Sequence, residues 1–197
     1  MPPSARPGGR TAAVRDAVLR ATGDLLIESG LGGVELTEVA QRADVGKSTV
    51  YRRWGSVPAL VADLLTEMAE TSQPRADTGS LRGDLLANAN LVRRTLTHPR
   101  QGRLFKAIIA AATSDDNAAA ALAGFYDARI AELAPMVTDA IGRGEAPADT
   151  DAVAVIRQVS APLYYQFLTS ASSLTTKDAL RTVDVTLAAV AAGALRL

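Results

Sequence analysis

From Val14 onward, apolar residues recur at three- and four-residue steps, and no stretch shows the alternation of a strand. That period matches one face of an α-helix. Hydrophobic residues make up 48% of the chain, and Ala and Leu, both strong helix formers, supply most of them. The expected fold is therefore all-α, with about nine helices. The 197 residues allow one large or two small domains.

Several function classes are weakly supported from the outset. There is no cysteine and only one histidine, His98, so disulfides, thiolate metal sites and His-based catalysis have little to work with. No glycine-rich phosphate loop follows a strand, and no nucleophile elbow occurs. The expectation is a protein that is not an enzyme and needs no cofactor. No apolar run approaches the ~20 residues of a membrane span, so a cytoplasmic protein without a membrane partner is expected.

Residues 1–10 are rich in Pro, Gly and Arg and read as a flexible basic arm, with Arg6 and Arg10 placed to reach phosphates or a minor groove. Thr11 is a plausible cap for a first helix carrying Val14, Val18, Ala21, Leu25 and Leu26 on one face and ending at Gly30. Thr37 would cap a short second helix, Val45 and Gly46 make a turn, and 48–54 form a third. Pro58 suits the first turn of a fourth helix, followed by a linker at 72–79. Five more helical stretches follow, about 80–97, 102–113, 117–142, 149–169 and 176–194. His98 is expected to cap a helix C-terminus, Asp115 and Asp116 to cap the helix after them, and Pro135 and Pro162, inside helical patterns, to kink theirs.

Segment 37–54 is thus helix, glycine-containing turn, helix. In a helix-turn-helix the second helix enters the DNA major groove, so it must be short and expose small polar and basic side chains. Lys47, Ser48, Thr49, Tyr51, Arg52 and Arg53 meet that requirement, while Val50 and Trp54 would hold the opposite face inward. Hydroxyls bind phosphate and Arg reads guanine by a bidentate pair. The zero net charge does not oppose this. Residues 1–57 hold eight Lys and Arg against six Asp and Glu, and the basic ones cluster.

Over about residues 11–65 the chain resembles the TetR/AcrR repressor family. The agreement lies in Gly30, Leu36 and Thr37, Val39 and Ala40, Ala43, Val45 and Gly46, Thr49 to Tyr51, Trp54 and Leu60. The resemblance implies that Thr37 and Tyr51 touch the DNA backbone, that a homodimer binds, and that the C-terminal region holds a ligand. One position departs: the family's Ser-Lys-Glu-like turn after the aromatic reads Ser56, Val57 and Pro58 here, so its phosphate-contacting Lys is absent. Farther on, Gly142 to Glu145, Asp149 to Asp151 and Ala161 to Leu168 are similar to a large actinobacterial-type subgroup. In it the last two helices of each subunit pack as a four-helix bundle.

The expected organisation is a basic arm (1–10), a three-helix DNA-binding domain (11–56) and a helical ligand-binding and dimerisation domain (57–197). The expected function is a repressor released from a palindromic double-stranded DNA operator by a small molecule. The alternative is a DNA-binding regulator or architectural protein without a ligand. Val153, Ile156, Val159, Leu163, Val183, Leu187 and Val190 are the expected apolar supply of the homodimer. The expected effector lining is Met68, Asn88, Leu91, Phe105, Ile108, Phe125, Tyr126, Arg129 and Tyr165, suited to a small hydrophobic or amphipathic ligand.

Overall fold

A computed structural model describes residues 7–197, with side chains described from Thr11 onward. Residues 1–6 and the side chains of 7–10, and with them Arg6 and the Arg10 side chain of the expected arm, lie outside what is described; the backbone of 7–10, expected as part of a flexible arm, is helical. Among the described residues there are nine α-helices and no strand: α1 (Pro7–Ser29), α2 (Leu36–Arg42), α3 (Lys47–Arg53), α4 (Val57–Glu70), α5 (Leu81–Thr97), α6 (Pro99–Ala112), α7 (Asp116–Gly142), α8 (Ala152–Thr169) and α9 (Thr176–Ala191). No described helix is long and apolar enough to cross a membrane.

Most helix ends follow local chemistry. Ser56 accepts the amide of Ala59, Ser80 that of Gly83, and Asp151 those of Val153 and Ala154. Thr175 and Asp178 form a reciprocal capping box at α9. Asp115 Oδ1 accepts the Ala118 amide at 2.8 Å, as expected. Three ends differ from the sequence reading. Helix α1 starts at Pro7, upstream of Thr11. Helix α2 starts at Leu36 with Glu35 as its cap residue, so Thr37 lies inside the first turn and its hydroxyl donates to Glu35 Oε2 at 3.4 Å. His98 serves both helices: it is the C-cap residue of α5, as expected, with its backbone N–H donating to Arg94 O and Thr95 O, and its Nδ1 also accepts the amides of Arg100 and Gln101, both at 3.3 Å, so α6 begins at Pro99 rather than near residue 102. A helix N-terminus needs acceptors, and an imidazole nitrogen that carries no proton supplies one.

The chain divides into two compact units. The first joins the described residues up to Thr71 with Arg103–Phe125; the second joins Ser72–Gly102 with Tyr126–Leu197. By packing, α4 and the segment 103–125 thus extend the expected 11–56 domain. In the first unit α1 packs on α2 and α4, and α2 on α3. Its core includes Val18, Leu26, Val39, Val50, Leu60, Leu65 and Ile108. In the second unit α5, α8 and α9 pack on one another. The chain end is pinned there: Asp151 N donates to Leu195 O at 2.8 Å and Leu197 N to Asp149 O at 2.9 Å.

The second unit corrects one expectation. Ile156, Val159, Leu163, Val183 and Val190, expected to face a partner chain, are all buried within this chain. Helices α8 and α9 carry apolar residues on two faces, and these five take the inward one. The outward apolar residues are Val153, Tyr165, Leu168, Leu180 and Val185.

Candidate nucleic-acid interface

The turn between α2 and α3 is closed by Val45 N donating to Ala40 O at 3.0 Å. The left-handed residue in it is Asp44, with φ 53°, while Gly46 has φ −60° and serves as the cap residue of α3. Asp is one of the few side chains that tolerate this region. The turn therefore depends on Asp44 for its conformation, although the sequence drew attention to Gly46.

Helix α3 buries Val50 completely and half-buries Trp54, so its other face is left to solvent. Lys47, Ser48, Tyr51, Arg52 and Arg53 are exposed and Thr49 is half-buried. Among the described residues, Lys47 and Arg52 have no hydrogen-bond or ion-pair partner. The two adjacent arginines are not equivalent. Arg53 turns back on its own unit: its guanidinium lies 4.8 Å from the Trp54 ring centroid, and Nη1 donates to Thr11 O at 3.3 Å. Arg52 is the arginine left for an external acceptor.

Below this face lies a polar network that sequence reading missed. Trp54 Nε1 donates to Asp63 Oδ2 at 2.8 Å. Arg15 grips the same carboxylate with Nη2 at 2.6 Å and Nε at 3.1 Å, and reaches Glu70 at 3.5 Å. Burial pushes the Asp63 carboxyl up, but the hydrogen bonds from Arg15 and Trp54 outweigh it and hold it below the usual carboxylate range. The network joins α1, the end of α3 and α4. The one signal in the sequence was a single acid, Asp63, inside the otherwise apolar run 57–65 that opens α4. Nearby, Arg42 pairs with Glu28 at 2.6 Å and Glu38 at 3.5 Å, which offsets acidic charge beside the exposed face.

The nine expected effector residues divide between the units. Ile108 belongs to the core of the first, Met68 and Phe125 pack against that core, and the buried Phe105 ring meets Phe125 edge to face at 5.7 Å. The other five lie in the second. Asn88 and Leu91 line one cleft of about 340 Å³. Tyr126 packs edge to face against Tyr164 at 5.5 Å, and burial raises the phenol pKa of both. Arg129 donates to the Gln73 carbonyl at 3.3 Å, and Tyr165 is 72% exposed.

Comparison with known proteins agrees over both units. Residues 75–186 match the family described as "Tetracyclin repressor-like, C-terminal domain", and residues 18–64 match "Bacterial regulatory proteins, tetR family". The chain is 31% identical over 153 residues to the HTH-type transcriptional regulator YdeS of Bacillus subtilis, covering 77% of each chain. It is also 31% identical over 137 residues to the DNA-binding transcriptional repressor TetR of Mycobacteroides abscessus, covering 68% of this chain and 72% of that one. Among solved structures it is similar to the TetR family transcription regulator SCO0332, with TM-score 0.71 and 30% identity over 90% of this chain and 98% of the other. The fold is shared with Salmonella enterica GusR at TM-score 0.72 and 23% identity, over 92% and 95% of the two chains.

Proposed function

This chain belongs to the TetR family of bacterial transcriptional regulators, whose members are DNA-binding and non-enzymatic, and on that premise we propose that it is a repressor working through α3 on a palindromic operator. The observation that carries the reading is the exposed face of α3. Lys47, Ser48, Thr49, Tyr51 and Arg52 offer donors outward, while Val50 and the Trp54–Asp63–Arg15 network hold the helix from behind. Arg52 is assigned to a base edge and Lys47, Thr37 and Tyr51 to the backbone, since bidentate guanidinium contacts specify and single donors position. Arg53, bound to Thr11 O, supports the geometry of the arginine beside it.

Regulators of this family act as dimers. A two-fold operator requires two recognition helices about 34–36 Å apart, or a multiple of that distance. The exposed Val153, Tyr165, Leu168, Leu180 and Val185 of α8 and α9 are the apolar surface best suited to an isologous contact. The site of action would be the cytoplasm, where the operator is. Release by a small ligand requires differential affinity between two conformations; a tenfold loss of DNA affinity needs about 1.4 kcal/mol of coupling. The cleft in the second unit favours this reading over a DNA-binding protein without a ligand.

Selection of bound duplexes from random DNA by the full chain tests the reading. An inverted repeat with half-sites one helical turn apart, or a multiple of it, is the expected product. Recovery of unrelated sequences at moderate salt refutes it.

A further inference from the structure

The cleft in the second unit has an asymmetric lining. One wall is the segment 73–76, a strap that starts shortly after α4 ends. The floor is α5, with Leu133 of α7 closing one side. Pro74, Leu86, Leu91 and Leu133 make an apolar half. Gln73, Arg75, Asn88, Asn90 and Arg94 make a polar half that contains two guanidiniums, three carboxamides and no carboxylate.

The two guanidiniums are not in the same state. Arg75 is matched by Asp139 at 2.6 Å, and its amide donates to Glu132. Arg94 has no carboxylate partner among the described residues: its described bond is from Nη2 to the neutral amide oxygen Oε1 of Gln73, at 3.3 Å. Next to it Arg93 Nε donates to Asn90 Oδ1, also 3.3 Å and also neutral. Asn88, only 4% exposed, spends its Nδ2 on Ser160 Oγ at 3.4 Å. The polar half is therefore a donor-rich pocket with positive charge unanswered on one side.

We propose that this cleft binds a monoanionic amphiphile, a carboxylate on a compact apolar body, with the carboxylate on Arg94 and the body against Leu86, Leu91 and Leu133. The assignment rests on the ligand-released reading above and gives its effector a chemical class, an amphipathic ligand as the sequence allowed, now with a negative charge. One unanswered guanidinium on the lining matches one negative charge; a dianion would have to take Arg75 from Asp139. The volume suits a small ring system at the low end of ligand sites. Gln73 Oε1 stands where a carboxylate oxygen would be received. A charge-assisted bond is roughly twice as strong as a neutral one, so a bound carboxylate competes with Gln73 for Arg94. It thereby loosens the described side-chain bond that ties the strap to α5, while Arg75 and Arg129 still hold the strap to α7.

The test is calorimetric titration of the full chain with benzoate, phenylbutyrate and naphthylacetate, each against its own amide. Expected is a preference of about tenfold for at least one acid over its amide, corresponding to about 1.4 kcal/mol. Arg94→Gln should abolish the preference without lowering the melting temperature, because Arg94 is exposed. Arg82→Gln, on α5 but outside the cleft, should leave it intact. Equal affinity for acid and amide in every pair, or a preference that survives Arg94→Gln, overturns the proposal. The regulatory reading is tested separately with the same acid on the selected operator. An Arg94-dependent preference with unchanged operator affinity upholds the cleft's chemistry and refutes release by its ligand.

Discussion

Removing the Asp63 carboxylate should destabilise the DNA-binding unit more than removal of an ordinary surface acid. In Asp63→Ala, the Nε and Nη2 donors of Arg15 and Nε1 of Trp54 all lose their acceptor. Bonds to charged groups contribute about 1.5–3 kcal/mol each when shielded. Here the Arg15 and Asp63 side chains are 22% and 24% exposed, so solvent screening reduces each. We expect a total of about 2–3 kcal/mol, or roughly 4–12 °C in Tm for a chain of this size. Trp54 is the one tryptophan in the chain, so its fluorescence in a urea titration reports this unit directly. Arg15→Gln combined with Asp63→Ala should show a coupling of about 1 kcal/mol. Two results refute the reasoning: a loss under about 0.5 kcal/mol, as for unremarkable surface positions, or single losses that add to within about 0.3 kcal/mol.

Three further outcomes follow from the structure. Asp63 is held below its ordinary range, so the unfolded state binds its proton first as pH falls; its stabilisation is complete above about pH 4–5 and is lost through the acid side. Urea titrations from pH 7 to 3 should therefore give a shallower acid loss in Asp63→Asn than in the parent chain. At φ 53°, Asp44→Val should cost about 1–2 kcal/mol while Asp44→Gly is tolerated, read by the same unfolding curve. Val185→Glu, on the outward face of α9, should reduce the light-scattering mass from two chains to one while leaving far-ultraviolet dichroism unchanged; Val183→Glu, on the buried face, should unfold the second unit.

How much of this was legible in the sequence depended on the range of the interaction. Helix positions and the helix-turn-helix rest on local period and caps, and α2 to α5 lie within a residue or two of their expected bounds. His98 shows the limit of local reasoning: its place at the C-terminal end of α5 was legible, but the use of its imidazole by α6 was not. The polar network was invisible because Arg15 and Asp63 are 48 positions apart, and no spacing rule connects them. The faces of α8 and α9 were misread because both faces are apolar; Val159 and Val183 are buried in a unit where α5, α8 and α9 all pack on one another. The expected effector lining pooled apolar residues from separate stretches. Ile108 is consumed by the core of the first unit and Phe105 is buried against Phe125, while Arg94, an exposed charge among half-buried neighbours on α5, lines the cleft.

The central claim, that α3 reads DNA through Arg52 while Lys47 positions it, is tested most directly by operator affinity of the full chain across a salt series. The account predicts that Arg52→Ala loses about 1–3 kcal/mol on the selected operator and relaxes preference at one base position. Lys47→Ala should weaken selected and scrambled duplexes alike and lower the salt slope by about one. If Arg52→Ala instead weakens both duplexes equally, or neither substitution changes binding, α3 does not read the operator as described.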